Sequence, residues 1–350
     1  MNETTTYPGI YVCESASSTV SVTRSSSTIP LFCMGSDFST EPVRFDNWFD
    51  VVNYHGGNIK TNDQKSWALR GYFECGGGPC YAIEPFHVLD GVKALKRRIT
   101  LIVALANDLT SQIQSILDID PTLFIILDGP YEEITAAGFD AGYAATSHAA
   151  MYYPYLRASW TTSDIPASAL VAGLYCRNDA TRGIWKSPSN LPLPRGYTPK
   201  FKVSDDIQGL YNQGKAINMI RSFGDETPLV WGARTLDDTD AWRYVAVRRL
   251  FSSVERDLQN AMEQMLFEPN TPLTWEKVRS AAVSYLHGLW KQGALAGASE
   301  DEAYFVQIGK EVTMLDPDIA QGKMIMKIGL AAVRPAEFIV IQFTQSMPGG

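Results

Sequence analysis

Residues 244–289 carry the pattern that most restricts the fold. Tyr244, Val247, Phe251, Val254, Leu258, Met262 and Met265 recur at spacings of three and four. Such a series makes one apolar stripe along a helix of 3.6 residues per turn, and the stripe must be buried against something. Arg248, Arg249, Glu255, Arg256, Asp257 and Glu263 fall off the stripe or at its margin and predict a charged outer face. Pro269 and Pro272 should end this helix, because proline lacks the ladder donor and restricts the residue before it. A second helix is expected with Thr274 as N-cap and Trp275, Val278, Ala282, Tyr285, Leu286 and Leu289 on its inner face. Gly293 and Gly297 should stop it. The flanking segments TPLVWGARTL and EAYFVQIG read as a strand with a turn and as a returning strand.

Upstream the pattern changes. ITLIVAL (99–105) and PTLFIILDG (121–129) are apolar on both faces, with a helix expected between them over NDLTSQIQSILDI. Strands of that kind, alternating with helices, indicate an α/β arrangement. Residues 191–205 (LPLPRGYTPKFKVSD) are rich in proline and charge and suit a linker. The expected fold class is therefore α/β, or mixed α+β, in two domains: 28–205 and 206–335. Residues 1–27 are Ser/Thr-rich and read as an extended arm with a hinge; 336–350 read as a C-terminal strand arm.

A chain of 350 residues with 45% hydrophobic and 19% charged residues can bury a sizeable core. The net charge of −8 argues against a dedicated nucleic-acid binder, which normally presents a basic face. No apolar run reaches the length of a membrane span. MNETTTYPG lacks the basic and apolar regions of a secretory leader, so synthesis and folding are expected in the cytoplasm. Five cysteines in this length do not make a disulfide scaffold. Cys75 and Cys80, flanking GGGP, read as a hairpin with two reduced thiols; with histidines only at 55, 87, 148 and 287, neither a metal nor a cofactor is expected.

Candidate chemistry is sparse. Asp128 ends an apolar strand, where α/β enzymes place catalytic groups, although the following Gly-Pro makes a turn reading equally good. There is no phosphate-binding glycine loop and no G-x-S-x-G elbow. An α/β enzyme of the hydrolase kind, with Asp128 as carboxylate and His148 as base, is the alternative reading; it requires the two within hydrogen-bond reach beside a pocket. Arg234 in WGAR reads as holding a strand-to-turn element with acidic partners and, like the pair that follows, as an assembly ion pair that matters more for assembly than for folding. The Arg248-Arg249 pair reads as intra- or intersubunit ion pairs that matter more for assembly than for folding.

Several segments in order carry a resemblance: YPGIYV (7–12), SHAAMYYPYL (147–156), VAGLYCRNDATRGIWKSPSN (171–190), GKAINMIRSF (214–223), WGARTL, WRYVAVRRLF, FEPNT followed by TW, GALAG leading to EAYFV, and VRPAEFIVI (333–341). Together they resemble contractile tail sheath proteins, which coat phage tails, R-type bacteriocins and extracellular contractile injection systems. SPSN stands where the family more often has an APAN-like segment. The length suits the compact sheaths of the antifeeding-prophage type. The resemblance implies a structural subunit, not an enzyme. It implies hexameric rings of the chain itself, stacked helically around an inner tube, that contract to drive the tube through a target envelope. Baseplate and terminator or cap proteins are the further implied partners, with no nucleic acid and no direct membrane insertion. Assembly in the bacterial cytoplasm is implied, followed by service in a phage tail or a released particle. The first domain would lie outside and the second would face the tube.

A chain end such as FIVIQF is a bare strand edge, a liability unless it is paired. Strands carrying Tyr7, Ile10 and Val12, and Phe338, Val340, Ile341 and Phe343, are therefore expected to complete sheets in adjacent subunits. Residues 13–27 are the expected hinge, with 329–335 a second one. Lys277, Arg279 and Lys291, on the solvent face of the second helix, are the residues chosen to face the tube.

Overall fold

The computed structural model describes residues 21–23, 28–224 and 226–337. The expected strand at Tyr7–Val12 and all of the C-terminal strand arm beyond Glu337 lie outside the described residues. The strands are β1 (Pro30–Cys33), β2 (Val43–Phe45), β3 (Cys80–Ile83), β4 (Leu101–Val103), β5 (Phe124–Asp128), β6 (Ala149–Tyr153), β7 (Leu156–Ala158), β8 (Leu191–Pro192), β9 (Tyr197–Pro199), β10 (Ile217–Arg221), β11 (Leu229–Trp231), β12 (Tyr304–Ile308) and β13 (Met326–Leu330). The helices are α1 (Trp48–Tyr54), α2 (Gln64–Glu74), α3 (Val88–Leu95), α4 (Ile113–Ile119), α5 (Ala167–Thr181), α6 (Asp205–Leu210), α7 (Val245–Met262), α8 (Pro272–Lys291), α9 (Glu300–Ala303) and α10 (Asp316–Ala320).

One nine-stranded sheet runs β2-β3-β1-β4-β5-β6-β10-β11-β8. Its middle, from β3 to β10, is parallel; β2, β11 and β8 are antiparallel edges. β4, β6 and the first four residues of β5 are buried, because helices cover both faces. On one face α2 and α5 pack with Phe32, Leu69, Tyr72, Leu170 and Tyr175; on the other α3 and α4 pack with Leu31, Val92, Ile102, Ile116 and Ile125. The α2–α5 crossing depends on Gly173, where a Cβ would stand 2.3 Å from the Tyr72 carbonyl oxygen.

The division expected at 205/206 is a correction to make. β10 and β11 lie beyond it and belong to the same sheet, β10 pairing in parallel with β6. Nor is 191–205 a free linker: it supplies β8 to the sheet edge and β9, which pairs with β7 and buries Tyr197. The helical lobe begins only near α7. Its core joins Leu250, Val254 and Leu258 of α7 to Ala282, Leu286 and Leu289 of α8 and to Tyr304 of β12.

Three local expectations also change. α8 is preceded by Thr271, with Pro272 in its first turn and Thr274 buried inside it. A proline there loses nothing, since the first helical N–H has no intrahelical acceptor. Cys75 and Cys80 flank a helix-to-strand turn and not a hairpin; they, Cys33 and Cys176 are free and buried. β12 does not return to β11. It forms a separate antiparallel ribbon with β13, in register Tyr304↔Leu330, Val306↔Ile328 and Ile308↔Met326.

Candidate assembly surfaces

The amino ends of the parallel strands meet α7. Thr28, Thr100 and Thr122 precede β1, β4 and β5, and the helix lays Arg249, Ser252, Ser253 and Arg256 over them. Arg249 is 3% exposed and pairs with Asp179 in the last turn of α5, Nη1 to Oδ1 at 3.1 Å and Nη2 to Oδ2 at 2.5 Å. Thr28 Oγ1 donates to the same carboxylate at 2.5 Å. Burial works against the guanidinium charge, but the Asp179 carboxylate outweighs it and holds the Arg249 pKa above its ordinary value. Arg256 donates to the Thr122 carbonyl at 3.0 Å and hydroxyl at 2.7 Å. Tyr285 of α8 donates to Asp257 at 2.6 Å.

The charged outer face expected for α7 is thus largely an inner one. Arg249, Arg256 and Asp257 are buried within the chain. Arg249 is a fold residue before it is anything else, which corrects the expectation that it serves assembly more than folding. Arg248 differs: half-buried, its guanidinium lies 4.3 Å over the Trp242 ring, and burial lowers its pKa. Sequence reasoning missed Asp179, because nothing local marks one carboxylate among many as a partner.

Asp128 and His148 do not meet. Asp128 closes β5 at its carboxyl end, opposite Tyr152, while His148 precedes β6 at the other end of the same strand pair. Four strand residues separate the two levels, about 13 Å at 3.3 Å per residue. Burial raises the Asp128 pKa against three hydrogen bonds, from Ser168 N–H and Oγ and from Ala106 N–H. His148 bonds through Nδ1 to the Leu123 carbonyl at 3.1 Å. Each side chain is committed to its own backbone neighbourhood, so they cannot act as an acid–base pair.

Beside Asp128, the crevice between β1 and β4 is a topological switch point, where open α/β sheets hold ligands. Here the chain's own groups tie the strand ends together, beside a cavity of about 570 Å³ lined in part by Met34 and Lys65. Asn107 Nδ2 donates to Cys33 and Ala104 carbonyls at 2.6 and 2.7 Å, and Lys65 donates to the Met34 carbonyl and to Asn107 Oδ1.

The β12–β13 ribbon is unlike the large sheet. Among the described residues neither strand has a second strand partner. Val306, Ile308, Met326, Ile328 and Leu330 point to one side, yet all five are only half-buried. Between β13 and α7 runs a groove of about 360 Å³, lined mainly by apolar side chains (Phe251, Val254, Leu258, Met262, Met326, Ile328 and Leu330) with Arg248, Glu255 and Gln259 among them. The alternation in MIMKIGL signals this strand in the sequence, where a period of two separates its faces. Of the three α8 residues expected to face a tube, Arg279 pairs with Glu276, Lys291 lies over Trp290, and Lys277 is exposed.

Arg234 follows β11 and is 6% exposed. Its Nε lies 3.0 Å from Oε2 of Glu337, the last described residue before the C-terminal arm.

This architecture, an α/β sheet domain carrying a helical lobe with an unfinished ribbon, is that of contractile sheath proteins. Residues 237–346 match the phage tail sheath C-terminal domain family. The chain is 46% identical to the sheath chain of an extracellular contractile injection system (the PVC sheath complex in its contracted state), covering 99% of both chains with a TM-score of 0.90. A chain of the anti-feeding prophage baseplate in its contracted state is 43% identical, over 98% of this chain and 100% of that one, with a TM-score of 0.87. A putative prophage major tail sheath protein of Pseudomonas aeruginosa (strain UCBPP-PA14) is 29% identical over 230 residues; the match spans 61% of this chain and 55% of that protein's length. The chain belongs to the contractile tail sheath family. Its full-length similarity is to subunits of injection systems, which are structural proteins and not enzymes.

Proposed function

We propose that this protein polymerises as helically stacked hexameric rings around an inner tube and contracts to drive that tube through a target cell envelope. The β12–β13 ribbon is where neighbours join. Residues 7–12 of one neighbour and 338–345 of another extend the ribbon, so that backbone groups at its edges are paired and the groove is covered. The observation that carries this is that five of the six ribbon residues on the inward face, all but Tyr304, are only half-buried, beside a strand edge with no strand partner among the described residues. An unpaired apolar edge invites strand addition, and native proteins otherwise blunt it. The linker 13–27 then bends while the ladders stay paired; the second hinge expected at 329–335 is corrected, since Gly329 and Leu330 belong to β13 and 331–333 are bonded to the helical lobe. Each subunit need supply only a few kcal/mol between two bistable arrangements.

The tube, a baseplate and a terminator are the further partners on this reading, with assembly in the bacterial cytoplasm. On α8, Lys277 is the best placed of the three cations to meet an acidic tube surface, since Arg279 and Lys291 already have partners. The test is removal of residues 1–12. Truncated protein should melt like the full chain but form no cylinders under negative-stain microscopy. Cylinders of normal length and contractility from the truncated chain would sink the mesh.

A further inference from the structure

We infer that Arg234 is the anchor of the C-terminal arm: by holding Glu337 against the sheet domain it fixes the point from which residues 338–350 leave for a neighbouring subunit. The inference rests on the mesh just proposed and adds a residue whose task is positioning.

The contact spans both lobes. After β13 the chain is tied to the helical lobe by the Leu295↔Ala332 bridge and by Val333 N–H to the Ala294 carbonyl at 3.4 Å. A few residues on, Glu337 is bound to the sheet domain instead. Arg234 Nε lies 3.0 and 3.3 Å from its two carboxylate oxygens, and Nη2 also donates to it. The Arg234 side chain is 7% exposed and that of Glu337 22%, and Glu337 is the acidic residue Arg234 bonds directly among those described. Charge-assisted bonds of this forked kind fix orientation as well as distance.

The seat under Arg234 is built for rigidity. Asn218 of β10 accepts the Arg234 N–H at 2.7 Å and donates to its carbonyl at 2.8 Å and to the Met151 carbonyl of β6 at 3.1 Å. Arg234 Nη1 donates to the Asn212 carbonyl. Gly232 is required beside it, since a Cβ there would stand 2.8 Å from Asn218 Oδ1. The WGAR motif is thereby explained: the glycine admits the asparagine, the asparagine clamps the arginine backbone, and the arginine reaches the arm. A bare stabilising ion pair would need neither the three-segment clamp nor a partner at the root of an arm.

The test compares Glu337→Gln with deletion of 338–350 in the otherwise complete chain. Glu337→Gln should leave the melting temperature close to that of the wild type, raise amide exchange over 331–337 by about tenfold, and cut the yield of full-length cylinders by a similar factor, as expected when one partner of a partly buried charged pair is neutralised. Deletion should abolish cylinders. If Glu337→Gln keeps wild-type exchange at 331–337 and wild-type cylinders while the deletion still abolishes them, the anchor is wrong and the mesh stands. Cylinders from the deletion itself would overturn both. A variant that melts much earlier, with exchange raised throughout the sheet domain, would make the pair a general stabiliser and overturn the anchor.

Discussion

Helix α7 meets two surroundings. Toward the amino ends of the sheet it presents Arg249, Ser252, Ser253 and Arg256, all buried, with both arginines hydrogen-bonded within the chain. Toward β13 it presents Phe251 and Met262, apolar and only half-buried, above a groove. A helix of a self-sufficient protein has this the other way round, with charge outside and apolar groups fully covered. The polar seam is finished by one chain and sets the angle between the lobes, since forked ion pairs tolerate little misalignment. In the assembly proposed above, the groove beside β13 takes a strand from a neighbour. On that proposal, chemistry with strict geometry holds the subunit together, and chemistry with loose geometry is left for contacts between subunits.

Arg249→Ala strikes the finished side hardest. It strands the Asp179 carboxylate in a buried site and should cost about 3–5 kcal/mol. Denaturant unfolding of the monomer would read this directly, and wild-type stability would mean that the seam does not hold the lobes. Next comes the unfinished side. Ile328→Lys puts a charge on the open groove, where it should change monomer stability by under about 1 kcal/mol yet prevent cylinder formation. Sedimentation and microscopy on one preparation would show both, and normal cylinders would place the joining surface elsewhere.

The smallest effect concerns His148, beside the seam. Burial lowers its pKa below the ordinary 6.5, with the Leu123 carbonyl bond opposing and the Arg248 charge adding to the lowering. The unfolded chain therefore takes up the proton first. This contribution to stability is complete above pH 6.5 and declines as pH falls from there toward the folded-state value. His148→Gln should flatten that part of the stability curve, measured as urea midpoints on either side of pH 6.5; an unchanged slope would assign the acid sensitivity to other groups.

Much of this was legible in the sequence. β4 and β5 stand out because central parallel strands are apolar on both faces, and α7 and α8 because their stripes keep a helical period. The place of 191–205 was not legible. Its prolines signal breaks, but Pro192 sits on the outermost strand, between Asn190 and Leu193, whose N–H groups do the pairing. The inward charge of α7 was hidden for another reason. Arg249 lies 70 residues from Asp179 and Arg256 134 from Thr122, and periodicity reports which side of a helix is polar, not what lies opposite. Arg234 could be picked out in its motif, while its partner stood 103 residues away, and nothing in the arm's strand pattern marks Glu337 as the acid it meets.

The self-tied crevice between β1 and β4 has a consequence of its own. In many α/β proteins that position is completed by a small molecule, and the shape of the domain follows its supply. Here Asn107 and Lys65 tie the strand ends together with the chain's own groups. These ties are therefore encoded in the chain, not borrowed from a ligand, and they do not depend on concentration. A part that must keep its form once separated from any pool of metabolites is best built that way.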